Sequence, residues 1–363
     1  MQKNMLSYLQ NSALRFSLKT AIRDEDESVN FSELNSQAKA IAAYFQSLNI
    51  TKNRPVGVLL PKSVKAVKCF LGTLYNGCFY VPLDVKNPAS RLEAIIKNLN
   101  LEFIVTDAKH AQILKNSGVN LIIFDEINLK GEDKFDRANY ENTIDTDPLY
   151  IINTSGSTGT PKGVAISHKS AINYIEWAYE TFNFKDDLKI ASQAPFIFDN
   201  SVLDIYLTLK TGSTLFLIPQ ELFTFPIKVV EYLEKNEINF IFWVPSVLTN
   251  IAALDLLKGV NLSLEFIIFA GEVMPVKTMN YFKSRFKNAV LANLYGPTET
   301  TVDCAYYIVD RDFSDEESLP IGYPCKNTDV FLLDENDALV TAQNTLGELC
   351  VRGASLALGY YND

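Results

Sequence analysis

Short, uniformly apolar runs recur along this chain with amphipathic stretches between them, and that alternation constrains its fold more than any other feature. Val56–Leu60, Phe103–Thr106, Leu121–Phe124, Leu149–Ile152, Leu215–Ile218, Phe240–Val244, Phe266–Phe269 and Val290–Leu294 are all of this kind. A run without polar alternation suits a strand buried on both faces, as in a parallel sheet covered by helices. Between the runs, Leu34, Ala38, Ile41, Phe45 and Leu48 repeat at helical spacing, with Ser32 as a candidate N-cap. Val229–Lys235 and Val276–Phe286 read as further helices. The predicted fold is therefore α/β, with parallel sheets flanked by helices. The 363 residues suffice for two to three compact lobes. Near residue 315 the pattern changes. Val330–Leu333, the polar turn Asp334–Asp337 and Leu339-Val340 read as a hairpin, and Leu349–Arg352 as another strand. Residues 1–314 are thus expected to form two α/β lobes joined near 130–147, and 315–363 a small antiparallel unit.

Composition removes several function classes. Lys and Arg number 33 against 43 Asp and Glu, a formal charge of −10, which disfavours nucleic acid and anionic membrane as partners. No run approaches the ~18 apolar residues of a membrane helix, and Met1–Leu14 lacks a secretory leader pattern. Cys69, Cys78, Cys304, Cys325 and Cys350 form no C-x-x-C pair, and His110 and His168 are the two histidines. Neither a zinc site nor a disulfide framework is signalled, and dispersed cysteines suit the cytoplasm.

The segment Thr154-Ser155-Gly156-Ser157-Thr158-Gly159-Thr160-Pro161-Lys162-Gly163 directly follows an apolar strand. Its glycines let the backbone turn its N–H groups inward, while hydroxyls and Lys162 add donors. Such a loop suits a polyphosphate. It is not a Walker A loop, because Pro161 precedes the lysine and Gly163 follows it.

This loop resembles the signature of the adenylate-forming superfamily, which includes acyl-CoA synthetases, luciferases and nonribosomal peptide synthetase adenylation domains. Four further segments resemble its motifs in the family's order: Tyr80-Val-Pro-Leu-Asp84, Phe198-Asp-Asn-Ser201, Asn293-Leu-Tyr-Gly-Pro-Thr-Glu299, and Gly347-Glu-Leu-Cys-Val-Arg-Gly353 with Gly359-Tyr360. The resemblance implies an acetyl-CoA synthetase-like N-terminal core: two parallel-sheet α/β lobes and the start of a small antiparallel β-barrel. It implies ATP and Mg²⁺ as cofactors, with the carboxylate substrate attacking the α-phosphorus. Thr154 to Gly159 and Lys162 would hold phosphates. Gly271, Asn293, Leu294, Tyr295 and Gly296 would surround the adenine. Thr298 would donate to the α-phosphate and Glu299 would hold the metal. Relatives continue past the point matching Asp363 into a Thr-Gly-Asp motif and a small domain with a catalytic lysine, so this sequence is expected to be a truncated core.

Asp199 points to the subclass. It stands in an apolar run, where a carboxylate is costly without a cationic partner. In isolation it reads equally well as the N-cap of a helix through Val202–Thr208. By resemblance to amino-acid-activating members it would hold the substrate α-ammonium group. The same resemblance gives a side-chain pocket of Asn200, Leu203, Trp243, Ile268, Ala270, Leu294, Val302 and Asp303. Plain core packing is the alternative for most of these. Trp243 and Leu203 would shrink the cavity, and Asp303 would want a hydroxyl or an ammonium. A small amino acid such as alanine or serine fits, as does a short basic one, with a phosphopantetheinyl carrier protein as acceptor. Phe198–Pro219 resembles stand-alone D-alanine–carrier-protein ligases, which usually carry Cys where this chain has Ala270. Two other readings stay open: an acyl-CoA synthetase for a non-amino acid, and an inactive nucleotide-binding module.

Overall fold

The computed structural model describes residues 4–155 and 161–362. The apolar runs become the strands of two large sheets. One has nine strands, in the order Tyr323–Pro324, Ala305–Ile308, Val290–Tyr295, Phe266–Phe269, Phe240–Trp243, Lys189–Ser192, Thr214–Leu217, Thr20–Arg23 and Ser28–Asn30. Its six inner strands run parallel, and antiparallel strands close both edges. The other has seven strands, in the order Gly359–Tyr360, Pro161–Ser167, Pro148–Ser155, Phe79–Pro82, Pro55–Leu59, Phe103–Thr106 and Asn120–Ile123. The last five of these run parallel.

Helices Leu6–Arg15, Phe31–Ser47, Val64–Tyr75, His168–Phe182 and Asn200–Thr211 fill the space between the sheets in one continuous core. This core takes Val56, Tyr80 and Tyr150 from one sheet and Ile190, Phe242 and Ile268 from the other. Two outer cores complete the layers. Pro226–Lys235, Pro245–Ala253 and Val276–Arg285 cover the nine-stranded sheet, and Ala89–Leu99 covers the seven-stranded one. Close approach is built in where the helix Val64–Tyr75 meets Phe31–Ser47: a Cβ on Gly72 would fall 2.5 Å from Ile41 Cγ2.

Three expectations change. The helix expected from Ser32 starts at Phe31, because Asn30 caps it in a reciprocal box with Glu33. The polar stretch 130–147 joins Asn120–Ile123 to Pro148–Ser155 within one sheet, so it does not connect the lobes. The chain passes from the nine-stranded sheet to the seven-stranded one through the helix Phe31–Ser47 and returns through the helix His168–Phe182. The final segment is not wholly separate either. Thr328–Leu333 and Glu348–Gly353 form a two-stranded sheet of their own, but Tyr323–Pro324 and Gly359–Tyr360 join the edges of the two large sheets.

Candidate active site

The phosphate-loop candidate sits on an antiparallel hairpin. Thr154 lies opposite Lys162, and Ser155 opposite Pro161. Gly156, Ser157, Thr158 and Gly159 lie outside the described residues. Gly163 is a packing requirement: a Cβ there would meet Leu99 Cδ2 at 2.5 Å. The Lys162 ammonium stands 4.6 Å from the centre of the Tyr360 ring. The hydroxyl of Tyr360 donates to Glu299 Oε1 at 2.8 Å. One tyrosine near the chain's end thus joins the loop lysine to the acidic residue of the Asn293–Glu299 segment.

That segment leaves the strand Val290–Tyr295 at the sheet's C-terminal edge. Tyr295 is 41% exposed, whereas Asn293 and Leu294 are buried. The amide of Asn293 donates to Pro320 O at 2.9 Å, leaving its own carbonyl oxygen as an acceptor. Gly296 has a steric reason to be glycine, since a Cβ would fall 2.6 Å from both Asp303 Cα and Val302 O. The close return of the chain depends on Thr301 and Val302, which adopt φ of 60° and 69°. Two adjacent β-branched residues in the left-handed region cost about 1–3 kcal/mol each, a strain usual at functional sites. The Thr301 hydroxyl bonds Ser355 O at 2.6 Å and helps hold that turn. Gly271, just past the neighbouring strand, has a φ of 87°.

Asp199 occupies the N-cap position of the helix Asn200–Thr211, but its side chain makes no capping bond. Its Oδ2 is sealed from solvent without a hydrogen-bond partner among the described residues. Burial pushes its proton affinity up to about 6, against the pull of the Thr298 hydroxyl and nearby backbone N–H groups. Thr298, expected at the α-phosphate, here stands beside this carboxylate. The Tyr150 hydroxyl and the Asn153 amide, on the strand that leads into the loop, are likewise sealed and unpartnered.

Leu203, Ile268, Ala270, Leu294 and Val302 share one core cluster, and Asn200 begins the helix that carries Leu203. Trp243 does not join them. It packs on the opposite face of the sheet with Phe269 and Ile267, its indole N–H donates to Ala191 O at 2.8 Å, and its ring meets Phe223 edge-on. The reason is strand parity: successive side chains face opposite ways, and Phe242 takes the inward position. Asp303 is 2% exposed, and its Oδ2 accepts from the Tyr174 hydroxyl at 2.7 Å. Burial pushes Asp303 up to about 8, with the Asp199 charge adding to the shift.

Tyr360, Tyr174 and Tyr150 were not among the residues expected at the site. Gly359-Tyr360 was legible as part of a motif, but nothing local to the sequence marks Tyr174 or Tyr150.

Upstream of Asp199, Pro195, Phe196 and Ile197 line a crevice of about 580 Å³ between the two sheets. Lys62 stands in it and donates to the carbonyls of Ser192 and Gln193 at 3.0 and 3.1 Å. Burial lowers its proton affinity to about 8, against the pull of Asp204.

A layered pair of largely parallel sheets, with helices between and outside them, is an architecture that solved proteins share. Nonribosomal peptide synthetase FmoA3 has it, superposing with a TM-score of 0.88 at 20% identity over 99% of this chain and 38% of its own. So does a four-domain nonribosomal peptide synthetase bound to AMP and glycine, with a TM-score of 0.84 at 24% identity over 99% of this chain and 26% of its own. Residues 9–361 match the family described as AMP-binding enzyme, and the chain belongs to that family. Among relatives, an L-proline–[L-prolyl-carrier protein] ligase of Pseudomonas fluorescens is 32% identical over 97% of this chain and 72% of its own. A D-alanine–D-alanyl carrier protein ligase of Bacillus velezensis is 32% identical over 94% of this chain and 68% of its own. The chain thus spans about seven-tenths of these ligases and under two-fifths of the solved synthetases.

Proposed function

We propose that the protein activates an amino acid as its aminoacyl-AMP, releasing pyrophosphate, and serves its transfer to a carrier-protein phosphopantetheine thiol. The observation that carries this reading is the buried Asp199 carboxylate beside Thr298 and Glu299, whose Oδ2 is sealed and has no partner among the described residues. An amino acid brings an ammonium group to such a carboxylate. A fatty acid brings nothing that would relieve it.

In this reading ATP lies across the edge of the nine-stranded sheet. Lys162 and the loop from Thr154 hold the phosphates, Tyr295 stacks on the base, and the free carbonyl of Asn293 accepts from its amino group. Gly271, Leu294 and Gly296 flank the base. Thr298, beside Asp199, would donate its hydroxyl to the α-phosphate. Glu299 fits Mg²⁺, a hard cation that binds few carboxylates and completes its shell with phosphate oxygens. Bound there, it would neutralise developing phosphoryl charge. Asn200, Leu203, Ile268, Ala270, Leu294, Val302 and Asp303 enclose the substrate side chain. Residues 1–314 supply the adenylation core, and the β-rich segment 315–363 brings Tyr360 against it.

ATP–pyrophosphate exchange by the intact protein tests this. Amino acids should support exchange and fatty acids should not, and Asp199→Ala should abolish it while ATP binding persists. Exchange driven by fatty acids would make the protein an acyl-CoA synthetase. ATP binding with no exchange for any carboxylate would make it a nucleotide-binding module.

A further inference from the structure

Between Gly353 and Asn362 the chain crosses from one large sheet to the other as a strap, and it meets Glu299 twice. At the start of the strap, Ser355 O accepts the Thr301 hydroxyl at 2.6 Å and Leu356 O accepts the Ser170 hydroxyl at 2.9 Å. The Ala357 N–H then donates to Glu299 O at 2.8 Å. Further on, the N–H groups of Leu358 and Tyr361 donate to Ala165 O and Gly163 O, both at 2.8 Å, on the strand that carries Lys162. The Tyr360 hydroxyl returns to Glu299 Oε1. Glu299 is thus held by its main chain and by its carboxylate.

Apolar packing secures little of the strap near Glu299. Leu356 and Leu358 are 41% and 51% exposed, and the small Ala357 side chain packs on the inner core. Its hydrogen bonds hold it instead, and the two hydroxyls that begin it are buried. They come from opposite sides. Thr301 follows the turn Thr298–Thr300, and its left-handed φ of 60° is the conformation in which its hydroxyl reaches Ser355. Ser170 lies in the first turn of the helix His168–Phe182, with its Oγ 2.8 Å from that of Ser167 at the end of the Lys162 strand. Glu299 and Thr301 meet Ala357 and Ser355, so the two bonds fall two residues apart on each segment. Such spacing resists sliding of one segment along the other.

Resting on the reading of Glu299 as the Mg²⁺ ligand, we propose that Thr301 and Ser170 are positioning residues for it: they pin the strap, and the strap presets Glu299 for its cation. Neither touches a reacting atom. A ligand ordered before the cation arrives spares the complex the cost of ordering it then. The strain at Thr301 is offset by the bond that this conformation permits.

Calorimetric titration of the intact protein with ATP, once with Mg²⁺ and once with EDTA, reads the cation's contribution apart from turnover. The wild type should bind ATP more tightly with Mg²⁺, and Glu299→Gln should remove the difference. Thr301→Val keeps the β-branched shape and deletes the hydroxyl. It should weaken ATP binding with Mg²⁺ by about 10-fold and leave binding in EDTA unchanged. Thr301→Ser restores a hydroxyl and should recover most of that affinity. Ser170→Ala should act in the same direction as Thr301→Val, and it supplies the second variant if Thr301→Val unfolds. Equal weakening with and without Mg²⁺ overturns the proposal, since that is what a purely structural role gives. Unchanged affinity in both variants overturns it too, and either result leaves Glu299 as the metal ligand. A Mg²⁺ effect that is absent from the wild type, or that survives in Glu299→Gln, removes the reading of Glu299 and this inference with it.

Discussion

The Tyr360 hydroxyl donates to Glu299 Oε1 at 2.8 Å while the Lys162 ammonium stands 4.6 Å from the same ring. A single side chain therefore positions a cation and an anion that the proposed chemistry uses together. Tyr360→Phe removes the hydroxyl and keeps the ring, whereas Tyr360→Ala removes both. Because the bond to Glu299 is solvent-exposed, its loss should cost about 1 kcal/mol, or roughly 5-fold in exchange rate. The alanine variant should lose more, mainly as weaker ATP affinity, since Lys162 also loses its stacking partner. Calorimetric titration with ATP and Mg²⁺ ranks the three proteins, and equal affinities would separate Tyr360 from the nucleotide site.

Asp199 sets function against stability. Its folded proton affinity is raised from 3.8 to about 6, so its contribution to stability is fully present below pH 3.8 and is lost as pH rises through about 6. The loss amounts to about 3 kcal/mol at pH 8. Asp199→Asn escapes this loss. Its melting temperature should exceed that of the wild type at pH 8, and the difference should close by pH 4. The same variant should fail in amino-acid-dependent exchange. A wild type as stable as Asp199→Asn at pH 8 would show that the carboxylate has a partner in the folded protein.

Sequence pattern revealed the sheets well and the chamber poorly, for physical reasons. Phe103–Thr106 and Phe266–Phe269 were legible because an apolar run between polar breaks admits few other structures. The same uniformity hid the orientation of Trp243. In Phe-Ile-Phe-Trp every residue is apolar, so no polar alternation reports which face looks inward. Asn30 was legible in principle as one end of an Asn-x-x-Glu box, yet Ser32 is an equally good capping type two residues on. The stretch 130–147 is polar enough to suggest a linker, but Phe135 and Tyr140 pack edge-on against Tyr75 and bind it to its sheet's helices. The bond between Tyr174 and Asp303 spans 129 residues of sequence, and no local pattern encodes it.

His168 gives an acid transition unconnected with the chamber. It is buried, and its Nδ1 accepts the backbone N–H of Met5 at 3.2 Å, which requires the neutral ring. Burial lowers its proton affinity from 6.5 to about 4, opposed by Asp147. A depressed histidine stabilises the fold above the unfolded value. That contribution should be lost as pH falls from 6.5 through about 4, to the extent of about 3 kcal/mol. His168→Asn keeps an acceptor for Met5 and does not titrate. Urea titrations at pH 7 and pH 4.5 should show a smaller acid loss in the variant, and parallel losses would place the acid sensitivity elsewhere.

Lys62 offers a way to disturb Asp199 without touching the substrate chamber. Its ammonium reaches from the loop after Pro55–Leu59 in one sheet to the carbonyls of Ser192 and Gln193, where Lys189–Ser192 leaves the other. Those carbonyls begin the segment that runs through Phe196 to Asp199, so Lys62 fixes the approach of the proposed ammonium ligand. Asp204 faces the same region from the helix Asn200–Thr211, with both carboxylate oxygens sealed and without a hydrogen-bond partner among the described residues, and burial raises its proton affinity to about 8. Lys62→Met fills the same volume but leaves two carbonyls without a donor and Asp204 without its nearby positive charge. Each lost bond should cost about 1–3 kcal/mol of stability. The functional effect should fall on one substrate only. The KM for the amino acid should rise, because the Asp199 segment is loosened, while ATP affinity holds, because Lys162, Tyr295 and Glu299 lie on other segments. Lys62→Arg should recover part of the amino-acid KM by restoring donors across the sheets. If Lys62→Met weakens ATP and amino acid alike, or leaves both untouched, Lys62 braces the two sheets without steering Asp199.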